Sequence, residues 1–161
     1  MERLWAPWRN DYLIRPKRDV CIFCEQGSDR DLLILRRTSL TRIMLNRYPY
    51  ANGHLLVAPE RHTADLGSLS EGEMLELFRG AALCRRLLAR ASAPDGFNLG
   101  MNLGKAGGAG VEDHLHLHVV PRWNGDNNFM SVIADCRVLP EALLATYDRL
   151  LPLFAETGEL D

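Results

Sequence analysis

Asp113-His-Leu-His-Leu-His-Val-Val-Pro-Arg-Trp123 is the stretch that decides how this chain is read. In a β-strand alternate side chains share a face. The spacing therefore predicts a strand over 114–120, with His114, His116 and His118 on one side and Leu115, Leu117 and Val119 on the other. The leucine side belongs to a core. The histidine side must line something polar, with neighbouring rings about 7 Å apart. A strictly alternating trio is a poor device for solubility alone, and the five histidines of the chain fall into two clusters, 54–62 and 114–118.

Outward from this strand the chain reads as short strands and two helices. The apolar runs Leu32 to Leu35, Ile43 to Leu45 and His54 to Ala58 predict strands. Between the last two lies Arg47-Tyr-Pro-Tyr-Ala-Asn-Gly53, a turn by composition. Ser70-Glu-Gly-Glu73 has the form of a capping box. Behind it Met74, Leu77, Phe78, Ala81, Cys84 and Leu88 recur at helical spacing, which predicts an amphipathic helix over 71–91, ended by Ala93-Pro-Asp-Gly96. Phe97, Leu99, Met101 and Leu103 then alternate with Asn98, Gly100, Asn102 and Gly104, the pattern of a half-buried strand. A further strand is expected over Phe129 to Ile133, and a closing helix over 140–155, opened by Pro140 and Glu141. Strands, helix, strands, helix with hairpin-like turns imply an α+β domain built on a mainly antiparallel sheet.

The chain has 161 residues, which suits one domain over 1–161, with residues 1–20 as an irregular arm. A net charge of −2 argues against coating a nucleic-acid polymer by bulk electrostatics, but leaves a nucleotide open as a small-molecule substrate. No stretch approaches the length of a membrane span, and Met-Glu-Arg-Leu-Trp-Ala-Pro-Trp8 does not read as a signal peptide. The expected location is the cytoplasm, where the four cysteines are thiols or metal ligands rather than disulfides.

Two chemistries compete for the histidine face. Three imidazoles are a possible metal site. Alternatively, one imidazole attacks phosphorus while its neighbours orient it and bind oxygens. Adjacent rings on one strand run roughly parallel instead of converging on a tetrahedral point, which favours the second. His-Leu-His-Leu-His-Val-Val120 resembles the signature of the histidine-triad (HIT) superfamily. Tyr48-Pro-Tyr-Ala-Asn-Gly-His54-Leu-Leu-Val-Ala-Pro59, with Asn46, resembles the family's upstream strand pair, and 98–110 its glycine-rich phosphate loop. The ending Pro121-Arg-Trp-Asn-Gly-Asp-Asn-Asn-Phe129 and the arm Leu4-Trp-Ala-Pro-Trp-Arg9 are similar to a microbial Fhit-like branch, which includes enzymes acting on diadenosine tetraphosphate, some as phosphorylases.

The resemblance implies a five-stranded HIT-like fold and a homodimer whose sheet continues across the interface. It also implies that His116 forms a covalent nucleotidyl intermediate on an α-phosphate, later attacked by water or inorganic phosphate. His118 would donate to a phosphoryl oxygen or the leaving group, and His54 would bind phosphate or orient the triad. A backbone carbonyl is expected to hold the proton on the other nitrogen of the nucleophile. Asn46, Asn102, Gly108, Gly110 and Trp123 are the candidate substrate contacts. The loop Gly104-Lys-Ala-Gly-Gly-Ala-Gly110 lets backbone N–H groups approach an anion, although it is not a Walker loop because Lys105 precedes the later glycines. An adenosine phosphoramidate hydrolase and a weakly catalytic AMP-binding module are the alternatives.

Cys21-x-x-Cys24 invites zinc, and His62 and His114 are available to complete a tetrahedral set. Certain HIT proteins and the galactose-1-phosphate uridylyltransferases resemble this arrangement. It would make the zinc a structural buttress and leave His116 free for chemistry. No organic cofactor is expected. Cys84 reads as core, and Cys136 carries no signal.

Overall fold

The computed structural model describes residues 20–126 and 141–158. The expected arm, the expected strand over 129–133, Cys136 and Pro140 lie outside these residues. Five strands form one sheet in the order β1-β2-β3-β5-β4. They are β1 (Ile34–Arg37), β2 (Thr41–Leu45), β3 (Leu55–Pro59), β4 (Gly96–Met101) and β5 (Leu117–Arg122), and every pairing is antiparallel. Helix α1 spans Glu71–Ser92 and helix α2 spans Leu143–Ala155. This is the α+β fold with two principal helices that the pattern implied.

One sheet face packs on both helices. Ile43, Leu45, Leu55, Val57, Leu115, Leu117 and Val119 meet Leu77, Ala81, Cys84, Leu87 and Leu88 of α1 and Tyr147, Leu150 and Phe154 of α2 there. The leucines between the histidines thus lie in the main core, as alternation requires. The capping box is present in full: Ser70 accepts from the Glu73 N–H, and Glu73 accepts from the Ser70 N–H. Helix α1 ends where Ala93 turns left-handed at φ 43°.

Gly80 lets α1 lie close on the sheet, because a Cβ there would sit 2.9 Å from Cγ1 of Val57. Its buried stripe runs through 77, 80, 81, 84, 87 and 88, so Phe78 and Met74, expected on the apolar face, stay exposed at 65% and 39%. They share the 3.6-residue period with the stripe but sit at its flank, beyond the width of the sheet beneath.

Several expected boundaries move. The strand expected over 114–120 is paired only over Leu117–Arg122, so His114 and His116 lie in the extended segment that leads into β5 and only His118 lies within it. Strand β1 starts two residues late, because Leu33 adopts φ 60° and the register with β2 shifts between Ile34 and Arg36. Strand β4 stops at Met101, where Asn102 turns to bond the Gly108 carbonyl. Helix α2 starts at Leu143 rather than 140, because the Glu141 carboxylate is taken by Asn52, Thr146 and Arg149 ahead of the first turn.

The second sheet face carries a smaller apolar patch, in which Phe23 packs with Leu32, Ile34, Met44, Leu56 and Ala58. The histidines lie on this side. No helix among the described residues is long and apolar enough to cross a membrane.

Candidate functional site

His118 lies in β5 between Leu56 of β3 and Gly100 of β4. Gly100 presents no side chain and has nothing within 4 Å of where one would be. The space over it is a cleft of about 270 Å³, lined among others by Tyr50, Asn98, Asn102, His118 and Arg122. Asn98 and Gly100 pair with Val120 and His118, so the polar half of the β4 alternation faces the same way as the histidines.

All three triad histidines are buried, with exposures of 1%, 6% and 8% for His114, His116 and His118. The rings of His116 and His118 stand edge to face with centroids 4.9 Å apart. This is closer than the 7 Å backbone repeat that the sequence suggests, because the side chains lean together within the packed row.

Tautomers follow from the backbone partners. Nδ1 of His116 lies 2.8 Å from the His114 carbonyl oxygen, which can only accept. Nδ1 therefore carries the proton, and Nε2 of His116 keeps its lone pair. Tyr50 N–H donates to Nδ1 of His54 at 3.1 Å, so the proton of His54 is on Nε2. That N–H donates to Nδ1 of His118 at 2.9 Å. His118 consequently carries its proton on Nε2, a buried atom with no partner among the described residues. A buried N–H left unpaired is costly, and its usual resolution is a ligand or water. Burial disfavours the charged form of all three rings. His54 is pushed down to about 3 by desolvation and then by the neighbouring His118 and His116, and His118 to about 4 by desolvation and then His116. Desolvation also lowers His116, against the opposing bond to the His114 carbonyl.

Both ring nitrogens of His54 are used, so it does not present one to phosphate; it orients His118. Asn46 is likewise withdrawn from the cleft. Its Oδ1 accepts from the Tyr48 N–H at 2.9 Å, which turns its amide nitrogen to within 3.3 Å of Nδ1 of His54. Trp123, expected near the substrate, points to the helix side, where its indole N–H donates to the Ser92 carbonyl at 3.2 Å. One residue after Arg122 it falls on the opposite face, as alternation dictates. Asn102 does line the cleft, and its amide donates to the carbonyl of Gly108, which holds φ 84°. Gly110 is exposed farther along the same loop. Two contributors were not among the expected site residues although they lie inside quoted motifs: Tyr50, through its backbone N–H and a ring 5.7 Å from that of His118, and Phe23, whose ring touches His114 and His116.

Cys21, Cys24, His62 and His114 come together with their ligand atoms all within 4.8 Å of one another. Nδ1 of His114 lies 3.4 Å from Sγ of Cys21, 3.6 Å from Sγ of Cys24 and 3.2 Å from Nδ1 of His62. Tetrahedral zinc bond lengths imply edges of about 3.6 Å for N to S and about 3.3 Å for N to N. The four side chains therefore fit a tetrahedral ion. Nε2 of His114 lies 2.9 Å from the Pro59 carbonyl, which fixes its proton there and leaves Nδ1 free for a metal. The Asp113 carboxylate lies 3.6 Å from the outer nitrogen of His62, the usual support for a ligating imidazole.

An antiparallel sheet that carries a row of buried, tautomer-fixed histidines, the last of which lines a small cleft, defines a histidine-centred candidate site. The HIT domain family matches residues 29–125, well over half of the chain, and the chain belongs to that family. An AP-4-A phosphorylase of Mycobacterium tuberculosis is 40% identical over 157 residues, covering 91% of this chain and 80% of that protein. An adenosine 5'-monophosphoramidase of Schizosaccharomyces pombe is 30% identical over 105 residues, 65% of this chain and 75% of that one. Among solved structures, a Zn-bound histidine triad family protein from Mycobacterium smegmatis superposes with a TM-score of 0.63 at 28% identity, covering 77% of this chain and 84% of that one.

Proposed function

We propose that this chain cleaves dinucleoside polyphosphates of the diadenosine tetraphosphate kind through a covalent nucleotidyl intermediate on His116, with water or inorganic phosphate as acceptor. The observation that carries this reading is the tautomer of His116, whose Nδ1–H donates to the His114 carbonyl and whose Nε2 bears the lone pair. The lone pair attacks the α-phosphorus, and a P–N bond forms as the P–O bond to the remaining phosphates breaks. The leaving oxygen departs with the bonding pair, and Nε2–H of His118 donates to it or to a non-bridging oxygen. An acceptor oxygen then attacks the same phosphorus, and the P–N pair returns to His116. His54 and Asn46 keep the proton of His118 on the side facing the substrate.

Similarity to the AP-4-A phosphorylase supports this substrate class. Incubation with diadenosine tetraphosphate tests it: ATP and AMP form in water, ATP and ADP when phosphate is the acceptor. Products that include none of these three nucleotides sink the reading. Similarity to the phosphoramidase favours a second one, an adenosine phosphoramidate as substrate. Specificity constants on the two compounds decide between them.

We further propose zinc at the Cys2His2 cluster. With four protein ligands it would leave no position for substrate and would cross-link the 21–24 turn, the segment after β3 and the segment leading into β5. Among the described residues β4 is an edge strand, and its position, with Leu99 exposed at 52%, supports a homodimer in which β4 pairs with its copy and extends the sheet. A reducing cytoplasm suits the thiolate ligands.

A further inference from the structure

Phe23 has no exposed surface, although it sits in a short turn between two cysteines. The turn is closed by the Cys24 N–H bonding the Cys21 carbonyl at 2.9 Å. Behind the ring lies the apolar patch of Leu32, Ile34, Met44, Leu56 and Ala58. In front of it are two imidazoles, His114 with centroids 4.9 Å away and His116 with centroids 5.0 Å away. The hydrogen bond from Nδ1 of His116 to the His114 carbonyl pins one atom of that ring but not its plane. A flanking ring is needed to fix the plane, and with it the direction of the Nε2 lone pair. Phe23 supplies that contact on one side, and the edge-on His118 supplies another.

We propose that Phe23 is a positioning residue for the nucleophile. Its ring sets the plane of His116, and the Cys21–Cys24 turn, once tied to the metal cluster, keeps that ring in place. The inference rests on the reading of His116 as the nucleophile. It gives the turn a role beyond stabilising the fold: the seat of the Phe23 ring acts on the rate of attack. Nucleotide binding, which depends on the cleft between β4 and β5, is left alone.

Phe23→Leu tests this, because leucine keeps the apolar packing and removes the flat face; Phe23→Met serves in the same way should the leucine variant fold poorly. The expected result is wild-type zinc content and wild-type affinity for AMP, with kcat on diadenosine tetraphosphate lowered about tenfold to a hundredfold by misaligned attack. A second readout needs no turnover. In the resting protein labelled with 15N-histidine, wild-type His116 shows one tautomer, unprotonated at Nε2, whereas the variant shows broadened or mixed ring signals. Unchanged kcat with unchanged His116 resonances overturns the proposal. So does a loss of kcat matched by an equal loss of AMP affinity or of folded protein. Should His116→Ala retain activity, the nucleophile reading itself fails. The ring signals of His116 still decide whether Phe23 sets its plane.

Discussion

His54 is fully buried, and its environment rejects a proton from every direction. Tyr50 N–H and the Asn46 amide both face Nδ1, while His118 and His116 stand on the other side. Its proton affinity falls from the ordinary 6.5 to about 3, first through desolvation and then through those two histidines. Between these values the unfolded chain holds the proton and the folded chain does not. Stability is therefore whole above about pH 6.5 and is lost as the pH falls through the window below it. At pH 5 the difference is 1.5 pH units below the unfolded value, or about 2 kcal/mol from this one residue. Urea unfolding of wild type and His54→Gln at pH 7.5 and pH 5.0, with zinc in constant excess, isolates it. Acid release of the metal weakens both proteins alike. Wild type is expected to lose about 2 kcal/mol more than the variant between the two pH values. Equal losses would refute the reasoning, since the buried ring would then be charged in the folded state or its proton accommodated by Tyr50 turning away.

His116→Ala is expected to keep the fold and lower turnover of diadenosine tetraphosphate by at least about a thousandfold, with no labelled nucleotide retained on the protein after an alkaline quench. His118→Ala removes the N–H that faces the cleft and should lower kcat by about 10² to 10⁴ while leaving AMP binding within a few-fold, as read by steady-state kinetics and titration. Metal analysis is expected to give one zinc per chain, and chelation or Cys21→Ser to lower the melting temperature before it lowers nucleotide binding. Gly80→Ala puts a methyl group 2.9 Å from Cγ1 of Val57, so α1 must shift, and thermal unfolding should show a loss of about 1–3 kcal/mol.

Local rules carried much of this structure. Strict alternation placed Leu115, Leu117 and Val119 in the core and the histidines opposite, and it put Asn98 and Gly100 on the histidine side of β4. The capping box located α1 to within a residue of its end. What stayed hidden depends on distant parts of the chain. Asn46 looked like a ligand contact because asparagine beside a turn suits one, yet Tyr48 N–H fixes its amide toward His54. Trp123 looked like a base-stacking residue by type, while strand parity sends it to the end of α1. Phe78 and Met74 share the helical period with the buried stripe, and only the position of the sheet under Gly80 separates them from it. Phe23 carried no signal, since its partners lie about ninety residues further on.

His114 is tied at three points: Nδ1 beside the two cysteines, Nε2–H to the Pro59 carbonyl and its own carbonyl to Nδ1–H of His116. These ties have different tolerances to mutation over evolutionary time. The carbonyl is backbone and survives any substitution that keeps the strand path, and the bond to Pro59 needs only an imidazole. A lineage that loses its cysteines one at a time therefore keeps the acceptor that holds the proton on Nδ1 of His116, whatever residue stands at 114, so long as the backbone path is kept.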